Sequence, residues 1–173
     1  MQTSYAINIP AFTYPGQLAN LMRSRIQTAM AVAAALPYGR LIIRDTANSS
    51  GMDQAGKLPS ASGDIVASKI LGISVADQAR AQDPSVVQAL YPINAAVPCL
   101  KDGEIVVKVE VAVVAGDPVY ARFTAHGGLD QLGGFRNDAD TVSSVDTAGL
   151  VPNAVFESAA GANGFAVVSI KEA

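Results

Sequence analysis

The clearest hydrophobic pattern in the chain runs over 104–125, EIVVKVEVAVVAGDPVYARFTA. Ile105, Val107, Val109, Val111 and Val113 fall on one side of an extended backbone, while Glu104, Lys108 and Glu110 share the other with Val106, Ala112 and Val114. A period of two with one wholly apolar face predicts a half-buried strand. Ala115-Gly116-Asp117-Pro118 interrupts it with turn chemistry, and Val119, Ala121 and Phe123 then resume the alternation against Tyr120, Arg122 and Thr124. The prediction is a β-hairpin, with Pro118 opening the second arm because it has no N–H to offer a ladder. The apolar face is structural. The other face, with Val106, Ala112 and Val114 among few charges, is a candidate contact surface.

The rest of the chain reads around that hairpin. Pro10 and Pro15 bias residues 1–16 toward extended geometry, so this segment is an N-terminal arm ended by Pro15-Gly16. Tyr5, Ile7, Ile9, Phe12 and Tyr14 make the arm apolar, and such a segment must lie on its own domain or on a neighbour. Residues 17–36 are ambiguous: propensity favours a helix over 18–25, while 26–35 fits a buried extended segment equally well. Arg40-Leu41-Ile42-Ile43-Arg44 predicts a short strand, and 45–63 a long polar loop. A strand is expected within 64–73, then a short helical turn capped by Ser74. Short apolar segments over 86–90 and 93–97 are broken by Pro92 and Pro98, and Lys101-Asp102-Gly103 reads as a turn. After the Gly-rich loop at 126–134, residues 151–157 and 165–170 are the clearest strands. Roughly eight short strands at close spacing predict an all-β, mainly antiparallel fold: a compact β-barrel or sandwich with the extended arm and little helix. The expected organisation is the arm at 1–16 and one β-rich domain at 17–173.

Composition adds a second theme. Half the residues are hydrophobic but only 16% are charged, against the usual figure of about 25%. Low charge density leaves surface free for burial against partners and hints at an assembly subunit. The net charge of −3 gives no basic footprint for nucleic acid. No apolar run approaches the roughly 20 residues of a membrane span, and the N-terminus does not read as a secretory signal. Production and use without export through a membrane is the expectation.

Candidate chemistry is sparse. Cys99, the single cysteine, has apolar neighbours and reads as a core residue. One histidine and one cysteine cannot supply an ordinary zinc site. Asp45, Asn48 and Asp53 do not follow calcium-loop spacing. Asp138 and Asp140 form a carboxylate pair, but in an Asn/Asp-rich stretch that turn chemistry explains. His126, the only histidine, could serve a small hydrolase, yet no G-x-S-x-G elbow accompanies it. The Gly pairs at 127–128 and 133–134 lack phosphate-loop spacing. No catalytic set, cofactor site or metal site is expected.

A series of short motifs gives the chain a resemblance. They are Phe12-Thr13-Tyr14-Pro15-Gly16-Gln17-Leu18-Ala19; Tyr38-Gly39-Arg40; Ala115-Gly116-Asp117-Pro118-Val119-Tyr120-Ala121-Arg122; and Gly133-Gly134-Phe135-Arg136-Asn137-Asp138-Ala139-Asp140. Val155-Phe156-Glu157-Ser158 and Gly164-Phe165-Ala166-Val167-Val168 complete it. Each is weak alone, but their order along the chain resembles the capsid cement (decoration) proteins of tailed bacteriophages. The resemblance implies a non-enzymatic virion protein on the outer capsid surface, binding the major capsid protein. It also implies self-association, as a trimer by preference or as a dimer. Tyr5, Ile7, Ile9, Phe12 and Tyr14 are the candidate inter-subunit contacts. A head–tail joining or tail subunit is the alternative within phage structural proteins.

Overall fold

A computed structural model describes residues 14–20, 24–32, 34–47, 54–77, 90–125, 132–142 and 145–172. Eleven strands account for the regular structure: β1 Arg25–Ala31, β2 Leu36–Pro37, β3 Leu41–Arg44, β4 Ala55–Lys57, β5 Ile70–Ser74, β6 Leu90–Tyr91, β7 Ala96–Lys108, β8 Pro118–Arg122, β9 Phe135–Arg136, β10 Ala148–Phe156 and β11 Phe165–Ile170. A single 3-10 turn, Ser62–Asp64, is the only helical piece among the described residues. The all-β, mainly antiparallel expectation holds; among the strand pairs of the described residues, β1 and β4 alone run parallel.

Nine strands form one sheet in the order β1-β4-β3-β5-β7-β11-β10-β8-β9, and β1 also pairs with β7. That extra pairing closes β1, β4, β3, β5 and β7 into a five-stranded barrel. The second half closes as well. Val109, just past β7, makes a parallel bridge to Phe135 of β9, and Glu110 N–H donates to the Phe135 carbonyl at 2.9 Å. The 13-residue β7 therefore belongs to both rings.

A bulge lets it do so. Arg25 pairs with Asp102 but Ile26 with Leu100, so β7 carries one extra residue there. Before the bulge, Val97 and Cys99 face the barrel interior with Ala29, Ala31, Ile42 and Leu71. Leu100 faces the other way, into the second core. Past the bulge the parity is reversed, and Ile105, Val107 and Val109 join Leu100 in that core, with Phe123, Phe135, Phe156 and Val168. Lys101-Asp102-Gly103, expected as a turn, is thus the bulge inside a continuous strand, with Gly103 at φ 133°.

The hairpin expected over 104–125 does not form. β8 pairs with β10 and β9, and β11 occupies the place beside β7, with residues 165–170 in register against 103–108. The intervening segment leaves β7 and is held elsewhere: Val113 exchanges hydrogen bonds with Ala160. Strong alternation identified both strands but not their partners. Val106, expected on an open face, is buried, whereas Val114 is exposed as read.

The ambiguous stretch resolves, and two further expectations change. Residues 25–31 are strand, the extended alternative for 26–35, because pairing with β7 outweighs helix propensity. Ala55–Lys57, expected inside a polar loop, form β4, since Gly56 slots between Ile42 and Ala29 with no side chain of its own. Ser74 ends β5 rather than capping a helical turn: its hydroxyl donates to the Pro37 carbonyl at 2.7 Å and accepts from Arg40 N–H at 3.0 Å. Cys99 is buried as expected, and burial pushes its thiol up to about 12.

One end of the barrel is plugged. Leu36, Tyr38 and Tyr91 come from the small β2–β6 ribbon and its edge and pack on the barrel interior. The two tyrosine rings lie 4.9 Å apart, and Tyr91 donates its hydroxyl to the Val75 carbonyl at 2.7 Å. Buried hydroxyls need such an acceptor.

The β5–β7 contact depends on one glycine. Gly72 has φ 131°, and a Cβ there would lie 2.3 Å from the Leu100 carbonyl oxygen. Gly72→Ala is expected to cost about 2–4 kcal/mol in urea denaturation. Gly116→Ala, at a position with φ 92° and open space around it, should cost only about 1 kcal/mol. Equal losses at the two sites would remove the close-approach explanation.

Candidate functional site

Asp138 and Asp140, the carboxylate pair noted in the sequence, meet Glu110 and two arginines at one place. Glu110 leaves β7 on the outer side of the second ring, where β8 and β9 lie side by side with Tyr120 opposite Arg136. On β8, Val119 and Ala121 point into the core, so Tyr120 and Arg122 point outward. Arg122 is nevertheless completely buried. Its guanidinium forks onto Glu110, with Nε 2.9 Å and Nη2 2.7 Å from Oε2. Nη2 also donates to Asp140 Oδ2 at 2.7 Å, and Nη1 to the Thr147 hydroxyl oxygen at 3.1 Å. Arg136 adds a second cation: Nη1 lies 2.8 Å from Asp140 Oδ2 and 3.5 Å from Glu110 Oε2, and Nε donates to Asp138. Such charge-assisted, planar pairings are the form in which arginine tolerates burial. Arg40 belongs to the same field. Burial lowers its pKa from the ordinary value, opposed by the attraction of Glu110.

The network ties down a loop. Thr147 donates its hydroxyl to Asp140, and the N–H groups of Thr147 and Ala148 both donate to the Ala139 carbonyl at 3.1 and 3.0 Å. Asp140 sits at φ 46°, the left-handed turn geometry that its surroundings suggested. Its carboxylate does more than shape the turn: it joins both arginines. Beyond this base, Val142 and Val145 exchange backbone hydrogen bonds and expose their side chains, by 39% and 66%. A charged foundation therefore carries two exposed valines. Asn137 braces the other end, donating from its side-chain amide to Asp117 Oδ2 at 2.8 Å. The carboxylate of Asp117 also accepts from Val114 N–H at 3.0 Å, so the Gly116-Asp117-Pro118 turn is held by the segment after β9.

The N-terminal motifs meet in the same way. Residues 16–19 lie along the side of β7 that β11 leaves open: Gly16 N–H donates to the Val106 carbonyl at 2.7 Å, Val106 N–H to Gln17 at 2.8 Å, and Ala19 N–H to Glu104 at 3.0 Å. Gly39 packs against this turn, where a Cβ would come within 2.6 Å of Pro15 Cβ. The start of the domain is thus latched onto β7, and Arg40 follows directly from the latch.

Of the candidate contact residues, Tyr14 is half-buried beside this latch. Tyr5, Ile7, Ile9 and Phe12 lie outside the described residues, as does His126. The sequence reading missed Glu110, Arg122 and Arg136. The available signal was a charge inserted into the apolar alternation at Glu110 and two arginines at the ends of short strands, in a chain with few charges. Among the described residues, no group of three or more His, Cys, Asp or Glu side chains could hold a metal ion. Every ionised group of the network faces an opposite charge, so the arrangement is a clamp.

Comparison with known proteins places this architecture. The family described as structural cement protein (E217 gp24/Pam3 gp6) matches residues 1–171. The chain belongs to this phage cement protein family. It is accordingly a structural component of the virion capsid. A solved chain from "The capsid of Myoviridae Phage XM1" superposes with a TM-score of 0.67 at 16% identity, covering 99% of both chains. At that identity the likeness shows a common fold. Among curated proteins no sequence matches. The cement family thus contains, in this member, a buried ion clamp assembled from Tyr38-Gly39-Arg40, the 115–122 turn and strand, and the 133–140 segment.

The clamp should fail in acid. Burial alone would raise the Asp140 pKa, but hydrogen bonds from Arg122 and Thr147 and the nearby Arg136 charge outweigh it, leaving the carboxyl below its ordinary value. A depressed folded-state pKa contributes stability above the unfolded value of about 3.9 and loses it as pH falls through the folded value. Asp140→Asn is expected to lower the melting temperature at pH 7, and the gap from wild type should close below about pH 4. A gap that stays constant with pH would show that the carboxylate charge is not the stabilising feature. Arg122→Met, which strands the buried Glu110, should cost about 3–5 kcal/mol.

Proposed function

We propose that this cement protein binds the outer surface of the capsid shell and stabilises contacts between adjacent major capsid subunits, without catalysis. The observation that carries the reading is the family match across residues 1–171. Several physical features support it. The surface is poor in charge, the described loops are hydrogen-bonded into a rigid β-body, and apolar side chains such as Val114, Val142, Val145 and Leu150 remain exposed. Repeated modest contacts suffice for a clamp on a symmetric shell, because avidity multiplies them.

The arm contributes to the same task. Residues 16–19 fill the open side of β7 within their own chain, so the latch fixes where the arm begins. Tyr5, Ile7, Ile9, Phe12 and Tyr14 are then presented from a fixed root as anchors on a neighbouring subunit. Extended segments bind through main-chain hydrogen bonds, with alternate side chains filling pockets. Self-association as a trimer, or else a dimer, fits a protein acting at symmetric positions on a shell.

Particles assembled without this protein should lose their DNA at lower temperature than complete particles, and adding the purified protein back should restore the difference. Removing residues 1–12 should weaken rebinding to depleted shells while leaving the melting temperature of the free protein nearly unchanged. Depleted particles as heat-resistant as complete ones would overturn the stabilising role.

A further inference from the structure

The unplugged end of the five-stranded barrel has an unusual lining. Residues 27, 44, 54 and 101 occupy the next inward positions after Ala29, Ile42, Gly56 and Cys99. Where the layer above is apolar, this layer is Gln27, Arg44, Gln54 and Lys101. Four different strands, or their immediate extensions, thus each turn a hydrogen-bonding side chain inward, and Leu71 of β5 completes the circle. The result is a cavity of about 330 Å³ lined by these residues with Ala67, Ser68, Ile70 and Glu172. Barrel mouths are a common location for ligand sites.

The charge in the cavity is unbalanced. Arg44 and Lys101 line it, Arg25 stands at its rim, and Glu172 is the one acidic residue among them. Glu172 follows β11 and reaches back across the mouth to pair with Arg25 and with Lys101, the latter at 2.6 Å. Arg44 Nε is buried and has no hydrogen-bond partner among the described residues. Gln27 uses its amide N–H on the Leu71 carbonyl at 2.6 Å, which fixes the wall. A buried guanidinium N–H without an acceptor is costly, and a second carboxylate would satisfy it.

We propose that the barrel mouth is a receptor for a carboxylate side chain of a neighbouring protein subunit, with Arg44 and Lys101 as the binding residues and Glu172 as a strap that partly fills the site beforehand. The identity of the neighbour rests on the capsid-binding reading; the pocket itself does not. An incoming Glu or Asp would pair with the Arg44 guanidinium where it lines the cavity and compete with Glu172 for Lys101. The strap keeps the free protein from binding acidic groups indiscriminately, so engagement requires a partner held close by its other contacts.

The test is a titration of the isotope-labelled full chain, followed by NMR, with N-acetyl-glutamate amide, its glutamine counterpart and inorganic phosphate as probes. The glutamate probe should produce saturable shifts at the Gln27 and Gln54 side-chain amides and at Arg44 Nε–H, and the glutamine probe none. Arg44→Gln and Lys101→Gln should each weaken binding about tenfold. Glu172→Gln should tighten it. Absence of saturable shifts in both wild type and Glu172→Gln would overturn the proposal. So would an equal response to the glutamine probe, or binding of phosphate alone. Thermal melts of the variants guard against misfolding, and Lys101→Gln, at a partly exposed side chain, supplies the reading if Arg44→Gln does not fold. A shell-rebinding assay of the same variants separates the two claims. Probe binding without shell binding by wild type would sink the neighbour and keep the pocket. Shell binding unaffected by either variant would exclude the pocket from the capsid contact.

Discussion

One strand has to serve two closed sheets, and the single extra residue at Lys101–Asp102 is what allows it. Without the bulge, the odd-numbered residues of β7 would face one side along its whole length. Val97 and Cys99 would then share a face with Ile105, Val107 and Val109, and one of the two cores would receive Glu104 and Lys108 instead. The bulge inverts the parity between the halves, so each ring is filled from its own side of the same strand. Both rings are built out from β7: β1 and β5 flank its first half, and β11 and the latch at 16–19 flank its second.

The second organising feature is electrostatic and stands where the two halves of the chain meet. Glu110 emerges at the end of β7 and gathers Arg122 from β8 and Arg136 from β9, with Arg40 in its field. A buried ion cluster is weak evidence for stability, because desolvation consumes most of the attraction. Its value lies in geometry. A guanidinium fork accepts few arrangements, so Asp140, and with it the loop that carries Val142 and Val145, is held in one position. Asn137 and Asp117 extend the same control to the turn before β8. Three of the short motifs that made the chain resemble a family, at 38–40, 115–122 and 133–140, are separate in sequence but meet at this clamp; the one at 12–19 forms the latch on β7, and those at 155–158 and 164–168 belong to β10, β11 and their ends.

What could be read from the sequence follows from the range of the interactions involved. Strands such as 104–108 and 165–170 announce themselves through period-two alternation, which is a local property. Their pairing is not local: β11 inserts beside β7 from far downstream, with Phe165 against Lys108 and Ile170 against Gly103, and nothing in Ala115-Gly116-Asp117-Pro118 distinguishes a hairpin turn from a crossing. β4 was hidden because Ala55-Gly56-Lys57 has poor strand propensity and gains its conformation from neighbours on both sides. Asp138 and Asp140 were legible as turn residues, and Asp140 is one. Its second role depended on arginines 18 and 4 positions away, on strands whose adjacency only the fold reveals.

Closure also decides where a partner can bind. A sheet closed twice offers few unpaired edges, and the open side of β7 is taken by residues 16–19 of the same chain. Strand addition to the main sheet is therefore a poor route for another subunit to engage this body. On the proposed capsid-binding reading, contacts would come instead from parts that closure leaves over: the residues before the latch, the exposed Val142 and Val145 beyond Asp140, and the unplugged mouth of the barrel. Their residues differ in chemistry, with Tyr5, Ile7, Ile9 and Phe12 in the first, two valines in the second, and Gln27, Arg44, Gln54 and Lys101 in the third. A partner meeting all of them would have to present matching features at fixed spacing, as a symmetric shell would at every equivalent position. On that proposal the hydrogen-bonded body would combine several weak contacts into one simultaneous fit, with specificity set by spacing rather than by the strength of any one contact.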